Sequence, residues 1–155
     1  MRKMLLSFKP AIYDKIHEGI KIYEHRRNFP DEPILAYMYV SKPIKAITGI
    51  VILKHRHLLD DWEKEYAYDT EALARISQYK EHYRYAMEIS EFRETNSISL
   101  ADVQKKINGF KAPQSYYYLE NNKMLLSLIE GSIVETDYKI THDFSDISSE
   151  IICVH

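Results

Sequence analysis

The stretch LLSFKPAIYDKIHEGIKIYEHRR, residues 5–27, decides the architecture. Its opening apolar run, Leu5 to Phe8, is halted by Lys9-Pro10 and reads as a strand. Pro10 suits a first helical position, because the N–H it lacks would have no partner in a first turn. Ile12 and Ile16 lie four apart beside Tyr13, which gives the helix one apolar stripe to about Glu18, and Gly19 can take the left-handed conformation on which helices end. Ile22 to Arg27 then returns to a β-like pattern.

Outward from there, Asn28 to Pro33 is a turn containing two prolines. Ile34 to Val40 alternates, with Ile34, Ala36, Met38 and Val40 on one side and Leu35, Tyr37 and Tyr39 on the other. Ala46 to Leu53 is apolar on both faces, the mark of a covered central strand. Asp60 to Tyr68 is acidic and aromatic. Asp69 or Thr70 caps a helix in which Leu73, Ile76, Lys80 and Tyr83 recur at helical spacing. Arg84 to Phe92 alternates as a strand, with Tyr85, Met87 and Ile89 on one face. Ser99 and Asp102 form a capping pattern before a short helix that carries Leu100, Val103 and Ile107 and ends near Gly109. Ala112 to Leu119 is a Pro-started aromatic segment. Met124 to Ile129 is a short helix or strand stopping at Gly131, and Ile151 to Val154 is a final β-like run. Five or six strands among short helices predict an α+β domain built on a small mixed β-barrel. The helices are too few, and the connections too short, for repeated βαβ units. No repeat or linker divides the chain, so residues 1–155 are read as a single domain.

Composition narrows the setting. At 45% hydrophobic and 28% charged, the chain can bury a core and is not a disordered segment. Its single cysteine, Cys153, has no internal disulfide partner, which suits a reducing compartment. No apolar run approaches the ~18–20 residues of a membrane span, and the first one is too short for a secretory leader. The expectation is a cytoplasmic protein, monomer or homodimer, with no membrane partner. Residues 1–57 hold 11 Lys+Arg against 5 Asp+Glu, whereas residues 58–155 hold 10 against 18. Coating a long nucleic acid calls for an overall basic excess, which this chain lacks. One positive face from its first third can still meet a short anionic ligand.

Strand geometry sets Glu24 and Arg26 on the same face, with Lys21 at the helix-to-strand corner. Such a cluster can grip a polar heterocycle: Glu accepts from N–H groups, while Arg and Lys donate to carbonyl or phosphate oxygens. The same spacing also describes an ion-pair ladder on an exposed edge strand. Other features weigh less. His55-x-His57 and Cys153-x-His155 lack the third and fourth ligands of a metal site, and neither metal nor cofactor is expected. Glu63 and Glu65, near Trp62, belong to a solvated acidic helix or border a cleft. Tyr116 to Tyr118 invites base stacking, but alternation allows only part of the triplet to face any one cleft.

The quoted stretch resembles the N-terminal signature of the ASCH domain, a branch of the PUA-like superfamily, in which S-x-K-P leads into a helix and then G-x-K-x-x-E-x-R-R. PIKAITGIVIL (43–53) looks like that family's central strand. YKEHYRYAMEI (79–89) is similar to a segment where relatives often carry F-x-G-K before Y-A-x-x-I. SLADV (99–103) and FKAPQSYYYL (110–119) resemble its S-L-x-x-L and P-P-Q-S-F-x-Y-L elements. The likeness spans about residues 4–119 and leaves 120–155 as an extension packing on or beside the barrel. It implies a PUA-like barrel whose cleft binds RNA or a nucleotide through Lys9, Lys21, Glu24 and Arg26, with Gln114 and Ser115 as further candidates. Some relatives are amidohydrolases on acetylated cytidine, using a lysine, a threonine nucleophile and a downstream glutamate. This chain has Glu24 in the threonine's slot, and Ser7, Thr48 and Ser115 are the other hydroxyls in reach by sequence logic. Glu81 and His82 stand where relatives have glycine and lysine.

Two functions follow. The first is a binding module for a single-stranded or modified nucleobase in RNA or a nucleotide. The alternative is a small hydrolase, an amidohydrolase or ribonuclease, with Glu24 as general base and Lys21 stabilising the oxyanion.

Overall fold

Two long antiparallel strands carry the architecture. β4 (Ala46–Leu58) and β5 (Tyr85–Ser99) pair along nearly their whole length in the computed structural model, which describes residues 1–154. β3 (Ile34–Val40) runs antiparallel to β4, and β1 (Arg2–Phe8) runs parallel to β3. A parallel pair requires a crossover, here made by α1 (Pro10–His17) and β2 (Tyr23–Arg26). β6 (Tyr116–Tyr118) joins β1, β2 pairs with the start of β5, and β7 (Glu135–Thr141) pairs further along β5. The order β2-β5-β4-β3-β1-β6 is a mixed sheet curled into a half-barrel, an α+β PUA-like fold with five short helices.

Alternation along each strand feeds two cores. Met4, Leu6, Ile34, Ala36, Met38 and Phe92 pack on one face with Ile12, Tyr13 and Ile16 of α1. Leu5, Tyr37, Tyr39 and Ile50 pack on the other with Val103 of α4 (Leu100–Lys106) and Leu125 and Ile129 of α5 (Lys123–Ser132). Each such fully buried side chain stabilises the fold by about 1.5–3 kcal/mol. A third cluster joins Tyr23 of β2 to α2 (Leu59–Glu65), α3 (Thr70–Lys80) and the C-terminal Ile152 and Cys153. Asp69 caps α3, accepting from the Glu71 and Ala72 N–H groups, and Ser99 caps α4 through the Asp102 N–H. No helix among the described residues is long and apolar enough to cross a membrane.

The structure departs from the sequence reading in several places. The described residues form seven strands, and β4 and β5 run past Leu53 and Phe92. Register shifts at three points along that pair break the alternation without ending the pairing. β7 was not legible, because all its side chains except Ile140 are exposed and it is held by backbone pairing with β5. Helix α5 continues through Gly131 to Ser132, and α3 buries Ala72 and Ile76, leaving Tyr83 in the following turn. Ile151–Val154 is no strand: Ser149–Ile151 forms a 3₁₀ turn that seats Ile152 in the third cluster.

Gly49 marks one of the register shifts, with φ at +91°. A Cβ there would lie 3.1 Å from both Met38 Sδ and Phe92 Cε1 and 3.2 Å from Tyr13 Cε2. Gly49→Ala should therefore destabilise the domain by about 1–3 kcal/mol, read as a lower urea midpoint at unchanged slope. An unchanged midpoint would show that this contact between β4 and the core is slack.

Candidate functional site

Helix α1 ends in a way that sets the site. Gly19, at φ +79°, lets the chain fold back so that the Lys15 carbonyl accepts from both the Ile20 and Lys21 N–H groups, at 2.9 and 3.1 Å. Lys21 thus leaves strand alternation, and its Nζ lies 3.9 Å from Glu24 Oε1. Arg26 Nη2 donates to Glu24 Oε2 at 3.2 Å and to the Ser7 carbonyl at 2.6 Å. Because β2 and β1 are not neighbours in the sheet, this guanidinium bridges the side on which the half-barrel stays open. Glu24 Oε1 also accepts from the His25 N–H at 3.1 Å.

Lys21 and Glu24 are only 3% and 5% exposed, so their charges are stable there only as partners. Burial lowers the Lys21 pKa, with help from Arg26 and Lys15 and against the pull of Glu24. His25 points off the Glu24 face yet closes the same corner. Its Nδ1 lies 3.3 Å from Lys21 Nζ, its Nε2 4.0 Å from Cys153 Sγ, and its ring meets Tyr79 edge-on at 4.7 Å. Burial first, and the Lys21 charge second, hold His25 well below the ordinary imidazole pKa. The ring is neutral. When the Lys21 ammonium donates to Nδ1, the ring proton sits on Nε2, facing the Cys153 thiol, which burial pushes up to about 12.

Lys21, Glu24, His25 and Arg26 line a cleft of about 870 Å³. Lys21, Glu24 and Arg26 form its polar floor, Ser7, Phe8 and Lys9 one border, and Gln78, Tyr79, Glu81, His82 and Tyr83 the facing wall. Of the residues expected from sequence, Lys9, Lys21, Glu24, Arg26 and Gln114 come together here. Ser115 does not line the cleft; it is exposed, and its carbonyl accepts the Ser7 N–H at 2.9 Å as backbone pairing. Ser7 Oγ donates to the Pro113 carbonyl.

His25 and the 78–83 wall escaped the sequence reading. His25 alternates away from Glu24, and the wall lies where the chain departs from the family pattern; that departure was the available signal. The weaker candidates lie elsewhere. Glu63 accepts from Lys80 at 2.7 Å, and Trp62 is buried edge-on against Tyr23 at 5.1 Å. Tyr116 and Tyr118 pack on the sheet core, while Tyr117 donates to the Lys111 carbonyl. His57 pairs with Glu88 at 2.8 Å, whereas His55 sits exposed in a bulge at φ +52°. His155 lies outside the described residues, and no group of three or more metal-binding side chains occurs among the described ones.

Solved structures share this architecture. A serine-to-alanine variant of an ASCH protein from Zymomonas mobilis superposes with a TM-score of 0.60 at 20% identity, over 82% of this chain and 96% of that one. A tyrosine-to-phenylalanine variant gives 0.60 at 17% identity over 88% and 100%, and a structure described simply as ASCH from that organism gives 0.56 at 20% over 82% and 95%. No family model matches the sequence, and no curated protein does.

The depressed His25 pKa has a measurable sign. The unfolded imidazole, with a pKa of about 6.5, takes up a proton that the folded ring refuses. The contribution of this group to stability is therefore complete above about pH 6.5 and is lost as pH falls from there towards the folded value. NMR of the His25 ring should show neutral-imidazole shifts at pH 6.5, where an ordinary histidine is half protonated; half-titration there would contradict the buried, neutral assignment.

Proposed function

We propose that this chain, whose fold is that of the ASCH domains of the PUA-like architecture, holds one base of a single-stranded RNA or a free nucleotide in the cleft. The observation that carries the reading is Glu24, buried between Lys21 and Arg26 and faced by Tyr79 and Tyr83. A carboxylate accepts from base N–H groups, and the flanking cations donate to ring carbonyls or phosphate. An aromatic wall takes the flat face of a base, a contact worth about 1–3 kcal/mol. Tyr83 and His82 are exposed at this wall and accessible for stacking. The cleft volume of about 870 Å³ suits a nucleotide-sized ligand.

Binding is favoured over acyl transfer by the residue at position 24. Glu24 stands where the amidohydrolase relatives are expected to carry a nucleophilic threonine, Ser7 Oγ is engaged by the Pro113 carbonyl, and Ser115 is off the cleft. The net charge of −2 fits a site that reads one or two nucleotides and not a long duplex.

Fluorescence anisotropy with short single-stranded RNAs and nucleoside monophosphates tests this. Glu24→Gln and Arg26→Ala should each weaken binding about tenfold or more, since hydrogen bonds to charged groups are worth about 1.5–3 kcal/mol, in protein that still gives the circular dichroism of a folded domain although its urea midpoint falls; Ser115→Ala should bind as the parent. Affinity should fall with salt at a log–log slope of about −0.7 per phosphate engaged, for only one or two phosphates. Parental affinity in both cleft variants would remove this cleft as the binding site.

A further inference from the structure

The Lys21 corner has the parts of a covalent site as well as of a binding floor. Lys21 is 3% exposed as a residue and lines the cleft, and its amine has a ring nitrogen of neutral His25 at 3.3 Å and a carboxylate oxygen of Glu24 at 3.9 Å. Desolvated lysines in such corners serve as nucleophiles towards carbonyl groups. We propose that Lys21 forms an imine with a phosphate-bearing aldehyde admitted to the cleft, an activity beyond nucleotide binding that rests on the geometry of this corner alone.

The step balances without any redox partner. The Nζ lone pair forms the C–N bond while the carbonyl π pair moves to oxygen. The surplus proton on nitrogen passes to His25 Nδ1 and is returned to that oxygen, giving a carbinolamine. The remaining N–H proton leaves with the hydroxyl as water, and C=N forms. One amine and one aldehyde give one imine and one water. His25 is within hydrogen-bond distance of Nζ, and the Glu24 charge, 3.9 Å away, favours a protonated imine over a neutral one. Arg26 and Lys9, on the same cleft, can hold the phosphate. Among the described residues, the charged and titratable groups acting on Nζ include Glu24 and Arg26 of β2, Lys15 of α1, His25 and the C-terminal Cys153. Their net effect with burial is to keep more of the amine unprotonated than on an exposed lysine.

The full chain is incubated with pyridoxal 5′-phosphate in one arm and, in another, with a single-stranded oligonucleotide containing one abasic site, whose ring-opened sugar is an aldehyde. Borohydride reduction and peptide mass mapping follow. Lys21 should be labelled at least tenfold faster than the exposed Lys42 and Lys45 in one arm or both, and the arm that labels it identifies a free or a chain-borne aldehyde as the source. His25→Phe should slow Lys21 labelling several-fold and leave Lys42 unchanged; an unchanged Lys21 rate would overturn the imidazole's part. Labelling of Lys21 no faster than Lys42 in both arms overturns the proposal. Because the readout is modification and not affinity, it stands or falls separately from nucleotide binding.

Discussion

Glu24 holds two cations in a corner that is almost closed to water, and the rest of the site is arranged around that contact. Taking a carboxylate and an ammonium out of solvent costs several kcal/mol per ion unless each finds its partner. Lys21 is placed by the turn at Gly19, Glu24 by the pairing of β2 with β5, and Arg26 by the Ser7 carbonyl across the open side of the half-barrel. Deleting one member of such a set leaves a buried charge uncompensated, a loss of about 3–5 kcal/mol. The polar floor is therefore rigid before any ligand arrives, which lowers the ordering cost of binding.

The corner is also braced from behind. Arg75 of α3 donates to the Ser149 and Ile152 carbonyls, and Ser149 Oγ donates to Asp69 at the start of the same helix. These contacts seat Ile152 and Cys153 against Tyr23 and His25. The C-terminal segment and the end of α3 thus meet at one strand: the first supports it, and the second contributes Gln78 and Tyr79 to the wall.

How far the sequence carried depended on periodicity and on corner chemistry. β3 was legible to the residue because Ile34, Ala36 and Met38 face one core while Tyr37 and Tyr39 face the other. Gly19 announced the helix end that swings Lys21 inward, and so the Lys21, Glu24 and Arg26 cluster was legible as well. β7 was not, because a strand held by backbone pairing with its side chains in solvent leaves no apolar alternation. His25 is not legible as part of the site because alternation sends it away from Glu24, and only the bent corner, by turning Lys21 towards Glu24, lets one amine meet both side chains. Tyr83 falls within the helical stripe, and nothing local says that the end of α3 and the turn after it border a cleft whose floor is formed by residues more than fifty positions earlier. Ser115 was expected on that cleft, but it faces outward because its backbone is committed to β1.

The most direct measurement is a crystal structure of the chain soaked with a nucleoside monophosphate or a short single-stranded RNA. A base should be seated in the cleft, its polar edge within hydrogen-bond distance of Glu24 and its ring against Tyr79 or Tyr83. A ligand bound on another face of the half-barrel, with this cleft unfilled, would contradict that placement.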